Sequence, residues 1–223
     1  MPQSPIQNGA ASSPDALFHA VLDAFGPDLP SGDDGAHDLA HLRRVWASTR
    51  RIAAVEGGDI AILAPAVVLH DCVHVEKSSP LRSQASRLAA ERARALLAAR
   101  AYPASQIAAI AHAIEAHSFS AAIAPRSIEA RILQDADRLD AIGHIGIARC
   151  FYTAGRMGSA LYNPADPAAS GRPLDDRAFA LDHFRAKLLH LAAGFQTATG
   201  AHLARERTAV LAAFMAGFEA EIG

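Results

Sequence analysis

Cysteine and long apolar runs are both scarce in this sequence. Its two cysteines, Cys72 and Cys150, do not form the closely spaced pair of a structural zinc site, and both lie in apolar stretches where a small buried residue is the simplest interpretation. No apolar run reaches the roughly 18 residues of a membrane-spanning helix, and the N-terminus lacks a basic-then-apolar signal pattern. We therefore expect a cytoplasmic protein that does not enter a membrane.

An excess of charge is also lacking, since the formal net charge is -2 at pH 7. Without a basic field the chain has little long-range attraction for nucleic acid, which disfavours a polynucleotide partner. Lysine is nearly missing, because only Lys77 and Lys187 interrupt a basic set that is otherwise arginine. Lys77, seven residues after His70, is a candidate for a compact ammonium beside an anionic group, although a solvated surface lysine is an equally good interpretation.

Hydrophobic residues are abundant and make up 51% of the 223 residues, which is enough for one core. Their spacing is helical, with start signals such as Ser13-Pro14 and Asp59, and no segment shows a convincing strand period or repeat. We predict an all-α, single-domain fold over residues 13–223. The polar residues 1–12 are expected to form a disordered tail.

Several boundaries of this helical fold can be predicted. Residues 60–72 are expected to form an apolar central helix, and residues 128–151 a helix that continues through its two glycines. Residues 153–173, rich in Gly, Pro, Asn and Ala, predict a long loop of the kind that forms lids or binding sites. Asp175 or Asp176 is expected to cap the next helix.

A polar doublet, His70-Asp71, ends the apolar run 62–69. Burial of an imidazole and a carboxylate without a partner is costly, and a metal ion is one partner that compensates both groups. Two adjacent residues do not complete a metal site, so further ligands must come from elsewhere in the chain. The second doublet, His37-Asp38, lies at a helix entry where a capping role is the simpler interpretation.

Helix geometry limits the candidates for the further ligands. His112 and His117 are five residues apart, about 140° around a helix, and Asp135 and Asp137 are separated by about 160°. Only one member of each pair is therefore expected to face a given ion. Geometry leaves open which member it is.

Three segments together resemble the HD superfamily of metal-dependent phosphohydrolases, whose pattern is H…HD…D on an all-α fold. They are His41 with Arg44-Val45, Leu69-His70-Asp71 and Ala136-Asp137-Arg138-Leu139. Longer stretches are similar to a bacterial family of stand-alone HD hydrolases, and the resemblance extends from about Asp33 to the C-terminus. These stretches are residues 37–46, 116–120, 134–143 and 182–184.

The resemblance implies that His41, His70, Asp71 and Asp137 bind one divalent ion. The Ala-Asp-Arg-Leu match, and not helix geometry, selects Asp137 over Asp135. Two imidazoles and two carboxylates suit Mn²⁺, Mg²⁺, Co²⁺, Fe²⁺ or Ni²⁺, and they leave positions for water and a phosphate oxygen.

The resemblance also implies a hydrolysis in which a metal-activated water attacks phosphorus. Asp71 would hold or orient that water. His117, at a predicted helix end, is a candidate acid for the leaving group or a support for a ligand, and Lys77 is a candidate for stabilising the developing charge.

The candidates for binding the phosphate are Lys77, Arg44 and Arg138. Arg44 shares a helix face with His41, three residues before it. Arg138 is an equally good candidate for a structural pair with Asp135 or Glu129.

The substrate implied by the resemblance is a small nucleotide: a triphosphate cut to monophosphate and pyrophosphate, or a monophosphate that loses phosphate. A phosphodiesterase for dinucleotides is a further possibility. Two alternatives from other classes stay open, a non-catalytic nucleotide sensor and a di-iron HD oxygenase, which would need His112 or His117 on a second ion. The sequence does not determine the native metal, the base or the oligomeric state.

Overall fold

A computed structural model describes residues 13–30, 39–75, 79, 81–118 and 121–223, without the side chain of Arg82. The predicted tail 1–12, the doublet His37-Asp38 and Lys77 lie outside the described residues. The all-α prediction is confirmed: over the described ranges the chain forms helices, and its only β pairing is an isolated bridge between Ala160 and Phe179. No helix in these ranges is long and apolar enough to cross a membrane.

The part of the chain that the structure describes contains nine α-helices in two compact units, the first ending at Asp137 and the second beginning at Arg138. Short 3₁₀ segments cover Gly26–Asp28, Arg82–Gln84 and Leu188–Gly194. In chain order the helices are α1 (Pro14–Phe25), α2 (Leu39–Glu56), α3 (Ile60–Leu69), α4 (Ala85–Ala99), α5 (Ala104–His117), α6 (Ile128–Leu139), α7 (Gly143–Met157), α8 (Ala180–Ala186) and α9 (Ala198–Ile222).

Helix α3 is the centre of the first unit. Its residues 62–69 are all buried, and it packs against α1, α2 and α5. Asp59 caps its start as predicted, because the carboxylate oxygen Oδ1 accepts the N–H of Ala61 at 2.8 Å. The helix ends at Leu69, earlier than the predicted Cys72. His70 and Asp71 therefore lie just beyond the C-terminal end of a buried helix, where main-chain carbonyls lack partners within the helix.

Helix α6 is hydrogen-bonded to two other helices of the first unit. Near its start, Oε1 of Glu129 accepts the N–H of Asp59 at 3.1 Å. One and a half turns later, Nε2 of Gln134 donates to the carbonyl of Ala116 at 2.6 Å. These two bonds connect α6 to the start of α3 and to the end of α5.

The predicted continuous helix over residues 128–151 is wrong, because the chain breaks between α6 and α7. Ile142 is extended, and Gly143 has a φ of +74°, in the left-handed region that favours glycine. The side chain of Arg207 lies 3.1 Å from the place where a β-carbon of Gly143 would be. Its Nη1 donates to the carbonyl of Leu139 at 2.5 Å, so a residue from far along the chain stabilises the end of α6.

The long loop of the second unit begins later than the predicted 153–173, because α7 continues to Met157. The predicted cap at Asp175 or Asp176 is also wrong. Helix α8 begins after Phe179, whose extended backbone takes the N-cap position without a side-chain cap. Asp175 instead accepts two backbone N–H groups within the loop.

A buried ion pair organises this loop. Arg172 donates from Nη1 and Nη2 to the two carboxylate oxygens of Asp182, at 2.5 and 2.8 Å, and the N–H of Asp175 donates to the same carboxylate at 2.7 Å. Asp182 is fully buried, and the guanidinium carbon of Arg172 lies 4.8 Å from the ring centre of Phe179. The hydrogen bonds from Arg172 hold the pKa of Asp182 below its ordinary value, although burial alone would raise it.

The pKa of Asp182 makes stability depend on pH. Because the folded-state pKa is depressed, the stabilisation is present above the unfolded-state pKa of about 3.9 and is lost as the pH falls through the folded-state pKa. We expect Asp182→Asn to lower Tm at pH 7 by about 5 °C or more, and the difference from the wild type to shrink below about pH 4. Thermal unfolding followed by circular dichroism measures this.

The matched control is Asp176→Asn, in the loop before α8. Asp176 is exposed, and its Oδ2 lies 3.2 Å from Nδ1 of His183. Its Tm should stay close to the wild-type value. An Asp182→Asn protein as stable as the wild type at pH 7 would contradict the role of the buried pair.

Candidate metal centre

The four side chains of the H…HD…D pattern come together in the first unit. His41 comes from α2, His70 and Asp71 directly follow α3, and Asp137 comes from α6. The Nε2 atoms of His41 and His70 are 3.3 Å apart; Oδ2 of Asp71 is 3.4 Å from Nε2 of His70, and Oδ1 of Asp137 is 3.5 Å from Nε2 of His41. Neighbouring ligands of one ion lie roughly 3 to 3.5 Å apart when each metal bond is about 2.1 Å. These separations therefore suit a shared cation.

Burial divides the four groups into two kinds. The imidazoles of His41 and His70 are 1% and 0% exposed, whereas the carboxylates of Asp71 and Asp137 are 37% and 27% exposed. His41, His70 and Asp71 each offer a ligand atom within 4.8 Å of the others. The nitrogen donors are thus held inside the unit, and the oxygen donors are the ones that water and an anionic ligand can reach.

A main-chain carbonyl sets the orientation of His70. The Nδ1 atom of His70 lies 2.7 Å from the carbonyl of Val67, and a carbonyl can only accept, so Nδ1 carries the proton. Nε2 then presents its lone pair toward His41 and the carboxylates, which is the state that binds a metal. The carbonyl end of α3 also carries partial negative charge, which favours a cation there. This donor set fits a divalent ion.

His117, the last residue of α5, is oriented in the same way. Its Nδ1 donates to the carbonyl of Ile114 at 2.6 Å, and its Nε2 lies 3.7 Å from Oδ1 of Asp71. The ring of His117 stands edge-on to the ring of His70, with centroids 5.0 Å apart. Because Oδ2 of Asp71 faces the other imidazoles, the two oxygens of this carboxylate are divided between the ligand cluster and His117.

The pKa of His117 lies below its ordinary value. Burial is the main cause, and the neighbouring His70 lowers it further, while the carboxylates of Asp71 and Asp137 raise it. The imidazole is therefore neutral near pH 7 before an anionic ligand arrives. Since Nδ1 is committed to Ile114, the proton that His117 gains or loses is the one on Nε2, which faces Asp71.

His117 and Asp137, from the two pairs that helix geometry left open, lie beside this cluster. His112 faces elsewhere, because its Nε2 accepts the N–H of Arg126 at 3.0 Å. Asp137 lies beside the two imidazoles, whereas Asp135 is fully buried. His117 and Asp137 are thus the members that lie at the centre.

The three predicted phosphate ligands differ in what the structure shows of them. Arg44 is half-buried on α2, one turn after His41. Arg138 donates from Nη1 to the carbonyl of Gly194 at 2.5 Å, within the second unit. Lys77 lies outside the described residues. Phosphate binding by these three residues stays a prediction.

Some features of the centre had no signal in the sequence. The carbonyls of Val67 and Ile114 orient the two histidines, but every residue has a carbonyl, so no residue type marks them.

Cys72, next to the cluster, is buried, and burial raises the pKa of its thiol to about 11. It is therefore a protonated thiol at neutral pH, as its apolar setting in the sequence suggests.

Comparisons with known proteins identify the family of this chain. Residues 38–142 match the HD domain family. The Bacillus subtilis protein YpgQ is 32% identical to this chain over 194 residues, which cover 85% of this chain and 86% of YpgQ.

Solved structures of similar proteins cover nearly the whole chain. A Lactobacillus plantarum protein superposes with a TM-score of 0.71 and 34% identity, covering 93% of this chain and 97% of that protein. A Bacillus thuringiensis HD-superfamily hydrolase superposes with a TM-score of 0.67 and 27% identity, covering 93% of this chain and 95% of that protein. YpgQ in complex with ADP superposes with a TM-score of 0.69 and 29% identity, covering 94% of this chain and 98% of YpgQ.

HD domains bind divalent metals, and the His-His-Asp cluster found here could hold one. The resemblance seen in the sequence is confirmed by both kinds of comparison. This chain belongs to the HD superfamily, within a group of stand-alone bacterial HD proteins that includes YpgQ, and is a metal-dependent hydrolase.

Proposed function

We propose that this protein hydrolyses a small nucleotide, either a nucleoside triphosphate to monophosphate and pyrophosphate or a monophosphate to nucleoside and phosphate. The observation that carries the proposal is the convergence of His41, His70, Asp71 and Asp137: the two imidazole Nε2 atoms lie 3.3 Å from each other and 3.4 to 3.9 Å from an oxygen of each carboxylate. The complex of the similar YpgQ with ADP supports a nucleotide as the ligand.

We assign one divalent ion, Mn²⁺, Mg²⁺, Co²⁺, Fe²⁺ or Ni²⁺, to these four residues. When bound, such an ion supplies a Lewis acid that lowers the pKa of a water molecule and neutralises phosphoryl charge. Both imidazoles are buried and both carboxylates are partly exposed, so the side from which water and phosphate can approach is the carboxylate side.

Asp71 has two tasks in this proposal. Oδ2 faces the imidazoles of His41 and His70 and belongs to the ligand set. Oδ1 faces His117 and orients the attacking water, which the partial exposure of the carboxylate admits. Loss of its charge should therefore stop the reaction even where the helices remain intact.

His117 handles protons at Nε2. It is neutral before the substrate binds, and the negative charge of a phosphate group would raise its pKa. It can then take up at Nε2 the proton that the attacking water loses and deliver that proton to the leaving oxygen. Arg44, Arg138 and Lys77 are proposed to bind phosphate oxygens and to stabilise charge that develops on them.

The two alternatives differ in how well the structure supports them. A nucleotide sensor would use the same site without turnover, so only an activity measurement separates it from the hydrolase. A di-iron oxygenase needs ligands for a second ion, and His112 is engaged with Arg126. Among the described residues, only His41, His70 and Asp71 form a cluster of three or more metal-ligating side chains whose donor atoms all lie within 4.8 Å of one another, so the described residues offer no second such cluster for another ion.

The substrate class is tested with purified nucleotides and Mn²⁺ or Co²⁺. We expect release of phosphate or pyrophosphate from at least one nucleotide, and its loss in Asp71→Asn with helical content unchanged by circular dichroism. Nucleotide binding without release from any member of the panel, with the metal bound, would favour the sensor. Activity retained in Asp71→Asn would remove Asp71 from the mechanism.

The ligand set is tested by titration with Mn²⁺ in a calorimeter. Asp137→Asn should lower the affinity by about 100-fold or more, because it removes a charged ligand. Asp135→Asn, on the same helix, should lower it clearly less than Asp137→Asn does, because Asp135 is not assigned as a ligand. The opposite ranking of the two variants would show that the wrong aspartate has been assigned.

The role of His117 is tested by His117→Ala. The value of kcat should fall by about 10² to 10⁴-fold, the range for a lost general acid or base, while the Mn²⁺ affinity stays within about threefold. His112→Gln on the same helix is the control and should keep kcat. A large loss of Mn²⁺ affinity in His117→Ala would instead make His117 a ligand.

A further inference from the structure

Gln134 is a buried polar residue for which the proposed mechanism has no use. It lies on α6, three residues before Asp137, and is 3% exposed. Its Nε2 donates to the carbonyl of Ala116 at 2.6 Å. Because a carbonyl can only accept, the orientation of the amide is determined, with its nitrogen toward α5.

The hydrogen bond of Gln134 ends one residue from His117. The carbonyl of Ala116 is among the last four of α5, which have no partner within the helix. The carbonyl of Ile114, another of these four, is taken by Nδ1 of His117 itself. Directly after His117 the backbone becomes extended, with a ψ of 130° at Ser118. Gln134 therefore stabilises the final turn of α5 at the point where the chain leaves the helix.

The amide of Gln134 has one satisfied atom and one unsatisfied atom. Its side-chain oxygen is buried and has no hydrogen-bond partner among the described residues. A buried polar atom without a partner destabilises the fold; a methionine of similar volume would avoid this cost but would also leave the carbonyl of Ala116 without the bond from Gln134. An unsatisfied buried group in a native structure calls for another explanation.

We propose that Gln134 is a positioning residue that sets the place of His117 relative to Asp71 and Asp137, an inference that rests on the hydrolase function proposed above. Asp137 lies one turn after Gln134 on the same side of α6, so this helix holds both a metal ligand and the end of α5. The Nε2 of His117 is 3.7 Å from Oδ1 of Asp71, just beyond hydrogen-bond distance. His117 can transfer a proton only when its Nε2 is held within hydrogen-bond distance of the oxygen that it protonates, so a displacement of the end of α5 lowers the rate.

The test is Gln134→Met, which removes the hydrogen bond and nearly conserves volume. We expect kcat to fall by about tenfold, whereas KM and the Mn²⁺ affinity change by less than about threefold, because the ligands themselves stay in place. The control, Glu129→Ala on the same helix, removes the hydrogen bond to the N–H of Asp59. It should lower Tm and leave kcat unchanged.

A double-mutant cycle separates positioning from general destabilisation. In the His117→Ala background, Gln134→Met should lower kcat by less than about twofold, because the group that it positions is gone. The inference would be overturned if Gln134→Met lowered kcat by the same factor in both backgrounds, or if kcat were unchanged in Gln134→Met alone.

A measurement on the metal-free protein distinguishes this inference from the proposed function. If the wild-type protein hydrolyses no nucleotide, the proposed function fails, and the inference is then decided by the ¹⁵N spectrum of the histidine rings. The bond from Gln134 to Ala116 supports the last turn of α5, in which the carbonyl of Ile114 holds Nδ1–H of His117. Gln134→Met should therefore replace the Nδ1–H signal of His117 by an average of both tautomers, with His112 on the same helix unchanged. An unchanged His117 signal would overturn the positioning role whatever the activity.

Discussion

One hydrogen bond, from the Nδ1–H of a histidine to the carbonyl three residues earlier, occurs at the ends of both α3 and α5. In each helix it satisfies a carbonyl that has no partner within the helix. It also places the proton on Nδ1, so that Nε2 of His70 and of His117 faces Asp71. The end of a helix and the chemistry of the centre therefore depend on the same bond.

The apolar core of the first unit fixes the position of the metal centre, and the metal centre compensates the polar groups that the core buries. Helix α3 is buried along residues 62–69, so the groups that follow it, His70 and Asp71, stand at the edge of the core. Imidazoles that are 0% and 1% exposed require compensation, which the carboxylates and a cation provide together. The partial negative charge of the carbonyl ends of α3 and α5 adds to the attraction for a cation.

The proposed mechanism and the role of Gln134 place different demands on α6. Asp137 must face the imidazoles, Gln134 must reach the end of α5, and Glu129 must reach the start of α3. All three contacts are made by one helix, in which these residues project toward different neighbours. The helix thus joins a proposed metal ligand to the end of α5, and its separate bond to the start of α3 adds stability.

Helical periodicity and start signals at Ser13 and Asp59 were sufficient to predict the all-α class, and the resemblance carried by the H…HD…D pattern predicted the family, since both depend on residue type and spacing along the chain. The break after α6, the pair Arg172–Asp182 and the bond from Gln134 to Ala116 join residues 10 to 68 positions apart. The sequence by itself thus determined which donor atoms are available and on which helices they lie. Only the tertiary structure decided which of His112 and His117 meets Asp71 and which nitrogen carries the proton, because main-chain carbonyls and long-range contacts leave no mark in local spacing.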